Sequence, residues 1–250
     1  MSRLEIKDLA KSFVIDGRVH PVFRRFDLAI ERGAFVVIVG ESGSGKTTLL
    51  RIIAGLEAAD RGSVAVGGKP VGGVGNERVM VFQEPRLLPW LTVRKNVRFG
   101  LELRDAPRDA IDRKVDEALR LVGLDAFASA YPRQLSGGMA QRVGIARALV
   151  TDPEILLLDE PLGALDAMTR MRMQQELERL WQQNGATMIM VTHDIEEAVY
   201  LADRIVGMGI GNDGPSEVIP VALPRPRDRS HREFVAIREA LLQRFDLNSH

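Results

Sequence analysis

Cysteine is absent from the 250 residues, which excludes disulfides, thiolate catalysis and Cys-ligated zinc. Histidine is scarce, with four in the chain and none paired at metal-ligand spacing, so a His-built metal site is not expected. An excess of either charge is missing too. Lys plus Arg number 34 against 34 Asp plus Glu, a formal charge of +0, whereas a domain that lives on phosphate-backbone contacts usually carries a basic surplus. Nucleic acid is therefore not an expected partner. The longest apolar stretches, such as Ala34 to Val39 and Ile155 to Leu158, fall far below the roughly 20 residues of a membrane-spanning helix. The opening run Met1-Ser2-Arg3-Leu4-Glu5-Ile6-Lys7-Asp8 interleaves charges where a secretory signal would need an unbroken apolar segment, and a cytoplasmic protein is the expectation. What is plentiful fits a globular protein. At 45% hydrophobic and 27% charged residues the chain can bury a sizeable core in one large domain, or one plus a subdomain.

Short apolar runs bounded by Gly, Pro and Asp alternate with longer helical patterns, as in a mostly parallel sheet covered by helices. Buried strands are expected at Phe35 to Val39, Val79 to Phe82, Ile155 to Leu158, Thr187 to Val191 and Arg204 to Met208. Three helical stripes stand out: Ile111, Val115, Ala118, Leu119 and Val122, ended by Gly123; Met139, Val143, Ala146 and Val150; and Met173, Leu177, Leu180 and Trp181, closed by Gly185. These stripes read as core contacts. Between Pro85 and Leu149 the strand signal disappears, which places a helical subdomain inside the α/β core. A Gly- and Pro-rich stretch from Gly209 to Pro226 leads to a final amphipathic helix, with Ser230 as its expected N-cap and Phe234, Ile237, Leu241 and Phe245 on one face.

Gly40-Glu41-Ser42-Gly43-Ser44-Gly45-Lys46-Thr47 follows the first of these strands and precedes the helical run that starts at Thr48. Spelling and context both match a phosphate-cradling loop. Its glycines let successive backbone N–H groups turn around an anion, and the helix N-terminus adds its dipole. Lys46 can reach the β- and γ-phosphates and the Thr47 hydroxyl can ligate Mg²⁺. The strand Ile155 to Leu158 ends in two adjacent carboxylates. Asp159 suits the outer coordination of Mg²⁺, and Glu160 can act on the water that attacks the γ-phosphate, as a general base or by orienting it. At the head of the second stripe, Ser136, Gly137 and Gly138 form another anion-facing helix start.

Together with Gln83 after one strand and His193 after another, this constellation resembles the ATP-binding cassette ATPase family, whose signature sequence reads Leu-Ser-Gly-Gly, as Leu135 to Gly138 do here. The resemblance spans Leu4 to Gly209. It implies an α/β fold: a P-loop NTPase (RecA-like) core with a mostly parallel sheet, an N-terminal antiparallel β part and an inserted helical subdomain. Residues 1–84 and 151–210 would form the nucleotide-binding core, 85–150 the helical signature subdomain, and 211–250 a tail and helix. The resemblance also implies roles. Gly40 to Thr48 and the signature residues Ser136, Gly137 and Gly138 would bind ATP. Gln83 would contact Mg²⁺ and the attacking water, Asp166 in Gly-Ala-Leu-Asp would be the cross-dimer aspartate, and His193 would touch the γ-phosphate. Phe13 would stack on adenine, the alternatives being Phe23 as the stacker or both residues as core.

In this family the signature loop of one subunit completes the ATP site of the other, so a second copy of the chain is an implied partner. Leu87-Leu88-Pro89-Trp90 and Leu223-Pro224-Arg225-Pro226-Arg227 further resemble the import ATPases for nitrate, sulfonates and taurine. Thr47 stands where many relatives have Ser, Leu162 where Phe is frequent, and Gly144 where Ala is common. The expectation is an ATPase subunit on the cytoplasmic face of the inner membrane, using ATP and Mg²⁺, docked on a separate permease and served by a solute-binding protein. Two other readings predict different features. A soluble cassette ATPase acting on nucleic acid or ribosomes would usually carry two cassettes or long coiled-coil or basic insertions. A purely regulatory nucleotide-binding module would lack Glu160 or His193.

Overall fold

The computed structural model describes residues 4–101, 108–209 and 217–244. They divide into two compact units, residues 1–75 with 187–250 and residues 76–186. The division falls at 75 and 186 rather than at the ends of the helical stretch, because two strands pair with each other beside the helices between them.

In the first unit, strands β1 (Leu4–Ile15) and β2 (Arg18–Ile30) form an antiparallel hairpin. It closes through Asp16 and Gly17, both at positive φ, as a two-residue turn of this spelling favours. Next along the chain, β3 (Phe35–Gly40) runs into helix α1 (Lys46–Ala54). Strands β4 (Arg61–Val66) and β5 (Lys69–Pro70) complete a four-stranded antiparallel sheet in the order β2-β1-β4-β5.

Two later strands return to the first unit. They are β8 (Thr187–Val191) and β9 (Arg204–Met208), which follow two strands of the second unit in the chain, and both lie parallel to β3. Every residue of β3 and β8 is buried, the mark of parallel strands covered on both faces. An antiparallel edge strand, β10 (Glu217–Pro220), pairs with β9.

The second unit holds the parallel pair β6 (Arg78–Val81) and β7 (Ile155–Asp159). Its helices are α2 (Val93–Phe99), α3 (Arg108–Leu121), α4 (Gly137–Leu149) and α5 (Ala167–Asn184). The five expected strands form within a residue of their expected ends. Ile111, Val115, Leu119, Val143, Ala146 and Leu177 are buried as the stripes require.

Two helices remain in the first unit, α6 (Ile195–Leu201) and α7 (Arg232–Arg244). Phe234 and Leu241 are buried on α7 as expected, while Phe245 lies outside the described residues. The N-cap expectation needs correction. The Ser230 hydroxyl donates to Asp228 at 2.7 Å, and His231 stands in the cap position, its Nδ1 accepting from the Glu233 N–H at 3.4 Å. Asp228 captures the serine locally, as an Asx-type turn does.

Candidate functional site

The expected site residues fall into two groups, one in each unit. Phe13, Gly40 to Thr48 and His193 belong to the first; Gln83, Ser136 to Gly138, Asp159, Glu160 and Asp166 belong to the second.

In the first group, β3 delivers the loop Gly40 to Thr47 from a buried, doubly flanked strand. Two glycines are required by space as well as by conformation. A Cβ on Gly40 would lie 2.1 Å from the Met208 carbonyl oxygen, and one on Gly45, at φ 91°, would lie 2.3 Å from Val22. Gly45 is also the N-cap of α1, which opens with no side-chain cap and no carboxylate in its first turn. That opening is suited to an anion. Lys46 is buried and its ammonium turns back across the loop, donating to the carbonyls of Gly40 at 2.8 Å and Glu41 at 2.6 Å. A buried cation beside the uncapped start of α1 suits the phosphates of a nucleotide. Thr47 and Thr48 are half-buried in the first turn of α1, while Glu41, Ser42 and Gly43 are exposed.

His193 leaves the same end of the sheet as the loop, because β8 runs parallel to β3 with Ile38 opposite Val191. It is exposed, between Thr192, whose N–H donates to the Ile38 carbonyl at 3.2 Å, and Asp194, which caps α6 by accepting from the Glu197 N–H at 3.0 Å. The far end of α6 is held by the Leu223 to Arg227 segment. Arg227, itself buried, donates to the carbonyls of Val199, Tyr200, Ala202 and Val221, and Arg225 donates to Leu201 and Asp203. This arginine pair therefore satisfies the last carbonyls of the helix that follows His193.

The two aromatic candidates separate cleanly. Phe23 is 2% exposed and packs on Phe26 with ring centroids 5.9 Å apart, so it is core. Phe13 is 37% exposed, with the Lys11 ammonium 4.9 Å from its ring centroid.

In the second group, β6 and β7 are parallel with Val81 opposite Leu158, so the residues that follow them emerge side by side. Gln83 Nε2 donates to Glu160 Oε2 at 3.2 Å. Asp159 is buried, and Glu160 is held at φ 45°, a left-handed conformation that costs a non-glycine residue about 1–3 kcal/mol and clusters at functional sites. Ser136 is the N-cap of α4, its Oγ accepting from the Met139 N–H at 3.2 Å; a hydroxyl so used can still donate its own proton. Asp166 caps α5. The Thr169 backbone N–H, foremost, and its side chain hold the Asp166 carboxyl below the usual carboxylate range. Among the described residues no cluster of three His, Asp or Glu could hold a metal by itself.

Three polar residues of this unit were not singled out from the sequence. Asn96 is 0% exposed and pins the Leu88–Thr92 turn, accepting from the Leu88 N–H and donating to the carbonyls of Leu88, Leu91 and Thr92. That turn carries Trp90, 70% exposed. Gln141 and Arg147 on α4 hold backbone carbonyls next to Gln83. Their only signal in the sequence is a polar residue on a helix that is otherwise largely apolar.

The comparisons with known proteins agree with one another. The family model described as ABC transporter matches residues 23–163. An uncharacterized ABC transporter ATP-binding protein of Methanocaldococcus jannaschii is 45% identical over 240 residues, 96% of this chain and 90% of its own. The aliphatic sulfonates import ATP-binding protein SsuB of Bacillus subtilis is 46% identical over 236 residues, 94% of this chain and 91% of its own. Among solved structures, the ATP-binding cassette MJ0796, dimeric in a post-hydrolysis state with ADP and Pi, superposes with a TM-score of 0.80 at 31% identity. That match covers 88% of this chain and all of the other.

Proposed function

The chain belongs to the ABC transporter family, and from that premise we propose that it is the ATP-hydrolysing subunit of an importer for a small solute of the nitrate, sulfonate and taurine class. The observation that carries the reading is the match, across nearly the whole chain, to an import ATP-binding protein for aliphatic sulfonates. The juxtaposition of Gln83 and Glu160 supports it. The partners are a second copy of the chain and a membrane permease, and no helix of the described residues is long and apolar enough to cross a membrane. The finer assignments are a seat on the cytoplasmic face of the inner membrane and delivery of cargo by a solute-binding protein.

The proposed division of labour follows the geometry within each unit. Lys46 and the N–H groups of the Gly40 to Thr48 segment hold the phosphates, and Phe13, exposed where Phe23 is not, offers its ring to adenine. Glu160, fixed in a strained backbone conformation and hydrogen-bonded by Gln83, orients the attacking water or takes its proton. His193 contributes a hydrogen bond at the γ-phosphate. Ser136, Gly137, Gly138 and Asp166 face the nucleotide of the partner copy. Thr47, Gln83 and Asp159 are the proposed Mg²⁺ contacts. Such an ion is held by one or two protein oxygens plus substrate phosphates rather than by an all-protein cage, so the lack of a three-residue acidic cluster is no obstacle. When bound, Mg²⁺ would neutralise charge on the phosphate oxygens.

Contact with the permease is assigned to the turn that Asn96 pins, with Trp90 as its anchor. Trp90→Ala should weaken binding of the permease by about 2 kcal/mol, roughly thirtyfold, as expected for a buried aromatic hot spot. Basal ATP hydrolysis should stay close to wild type. Assembly at full strength combined with lost basal turnover would place Trp90 in the fold or the catalytic machinery instead.

A further inference from the structure

Helix α4 does more than present Ser136. Gln141 is 1% exposed, and its Nε2 donates to the Phe82 carbonyl at 3.1 Å. Arg147 forks onto the same segment, Nη2 to the Pro85 carbonyl at 2.8 Å and Nη1 to the Arg86 carbonyl at 3.1 Å. Gly144 stands between them in sequence, and a Cβ there would meet the Pro85 carbonyl oxygen at 3.5 Å. Positions 141, 144 and 147 are three apart, so they share one face of the helix, and that face carries the segment. The segment is bent under strain: Arg86 has φ 44° and its guanidinium lies 4.2 Å from the centroid of the Phe82 ring. Inside the three held carbonyls stands Gln83, bonded to Glu160.

Neither donor is explained by packing alone. Gln141 Oε1 is buried with no hydrogen-bond partner among the described residues, a cost that an apolar side chain of similar size would avoid. Burial pushes the Arg147 guanidinium below its ordinary value, so a desolvated cation is committed to two neutral carbonyls. Planar forked donation of this kind is a property of arginine that lysine lacks.

We propose that Gln141 and Arg147 are positioning residues that set Gln83 against Glu160, so that α4 joins its Ser136 opening and the Gln83 segment into one body. The inference rests on the reading that Gln83 and Glu160 act on the nucleotide. Its consequence is a physical link between the helix end offered to the partner's nucleotide and the carboxylate that serves the chain's own.

The test is a double-mutant cycle on ATP hydrolysis by the full chain. Gln141→Leu removes the unsatisfied oxygen but also takes a donor from the Phe82 carbonyl, opposing effects that should leave only a small fall in melting temperature. Its kcat should fall about fivefold with KM for ATP unaltered, the loss of about one hydrogen bond's worth of positioning. Arg147→Lys, which keeps charge but loses the fork, should act in the same direction. In a Gln83→Ala background the further loss from Gln141→Leu should shrink below about twofold, because the residue through which it acts is gone. In hydrogen exchange, the amides of Gln83, Glu84 and Arg86 should exchange faster in Gln141→Leu while those of α4 keep their protection.

A fivefold loss in both backgrounds would overturn the proposal, as would wild-type kcat in Gln141→Leu or unchanged exchange at Gln83, Glu84 and Arg86. If Gln83→Ala alone hydrolysed ATP at the wild-type rate, the nucleotide role of Gln83 would fall. That result differs from additivity and takes the inference with it.

Discussion

Helices α1 and α4 carry the two proposed phosphate-facing openings, and they are finished in opposite ways. The first begins after a left-handed glycine with no side-chain cap, and its order comes from the strand behind it and from Lys46 folded across the loop. The second closes its own first turn, Ser136 Oγ accepting from Met139. An opening without a side-chain cap or a carboxylate in its first turn is where binding strength should reside, since the positive end of the helix and a buried cation both gain from a phosphate. An opening already completed by its own serine offers less to a ligand. It keeps its shape with or without one, as a surface meant for a nucleotide already held elsewhere requires. The proposed catalytic pair follows the second pattern, Gln83 and Glu160 being placed within their own unit by strand pairing.

If binding and chemistry are divided in this way, single substitutions should separate them. The largest effect should come from Glu160→Gln, which keeps size and packing while removing the base: kcat should fall by roughly 10² to 10⁴, with the Kd for ATP in calorimetry held near wild type. A matching loss of affinity would collapse the distinction. Lys46→Ala should do the reverse, weakening Kd by about ten- to hundredfold through loss of charge-assisted contacts; calorimetry showing unchanged affinity would remove the phosphate loop from the account. The smallest effect probes the self-made cap. Ser136→Ala should cost about 1 kcal/mol of stability and Ser136→Gly only a few tenths, both read by thermal unfolding without nucleotide. Equal costs would mean that the serine hydroxyl does not finish the helix.

Much of this architecture is legible in the sequence. Val36 to Val39, Leu156 to Leu158 and Met188 to Val191 form uninterrupted apolar runs, the pattern of parallel strands buried on both faces. The phosphate loop was legible because its glycines answer to local geometry. Other features depend on neighbours that periodicity does not report. Strand β10 sits in a Gly- and Pro-rich stretch and exists because Glu217 to Pro220 find the free edge of β9. Phe13 and Phe23 look alike on paper, and only the packing of Phe23 on Phe26 separates them. Gln141, Arg147 and Asn96 read as ordinary polar residues of helices. Their function lies in backbone carbonyls brought to them by a turn, and a carbonyl carries no sequence signal. The Leu223 to Arg227 motif shows the same limit from the other side. Its spelling pointed to a transporter subfamily, while its arginines serve the end of α6.

The central claim is that the Ser136 opening completes the nucleotide site of a second copy, a two-fold arrangement in which each chain supplies both parts. Size-exclusion chromatography of Glu160→Gln with Mg²⁺ and ATP tests it most directly, since slowed hydrolysis should accumulate the closed state. The account predicts a dimer in ATP that returns to monomer in ADP. It also predicts that adding Ser136→Arg, which places bulk and charge at the partner's γ-phosphate, prevents dimerisation while ATP still binds at Lys46. A Glu160→Gln protein that binds ATP tightly yet remains monomeric at high concentration, both alone and when assembled with its permease, would contradict it.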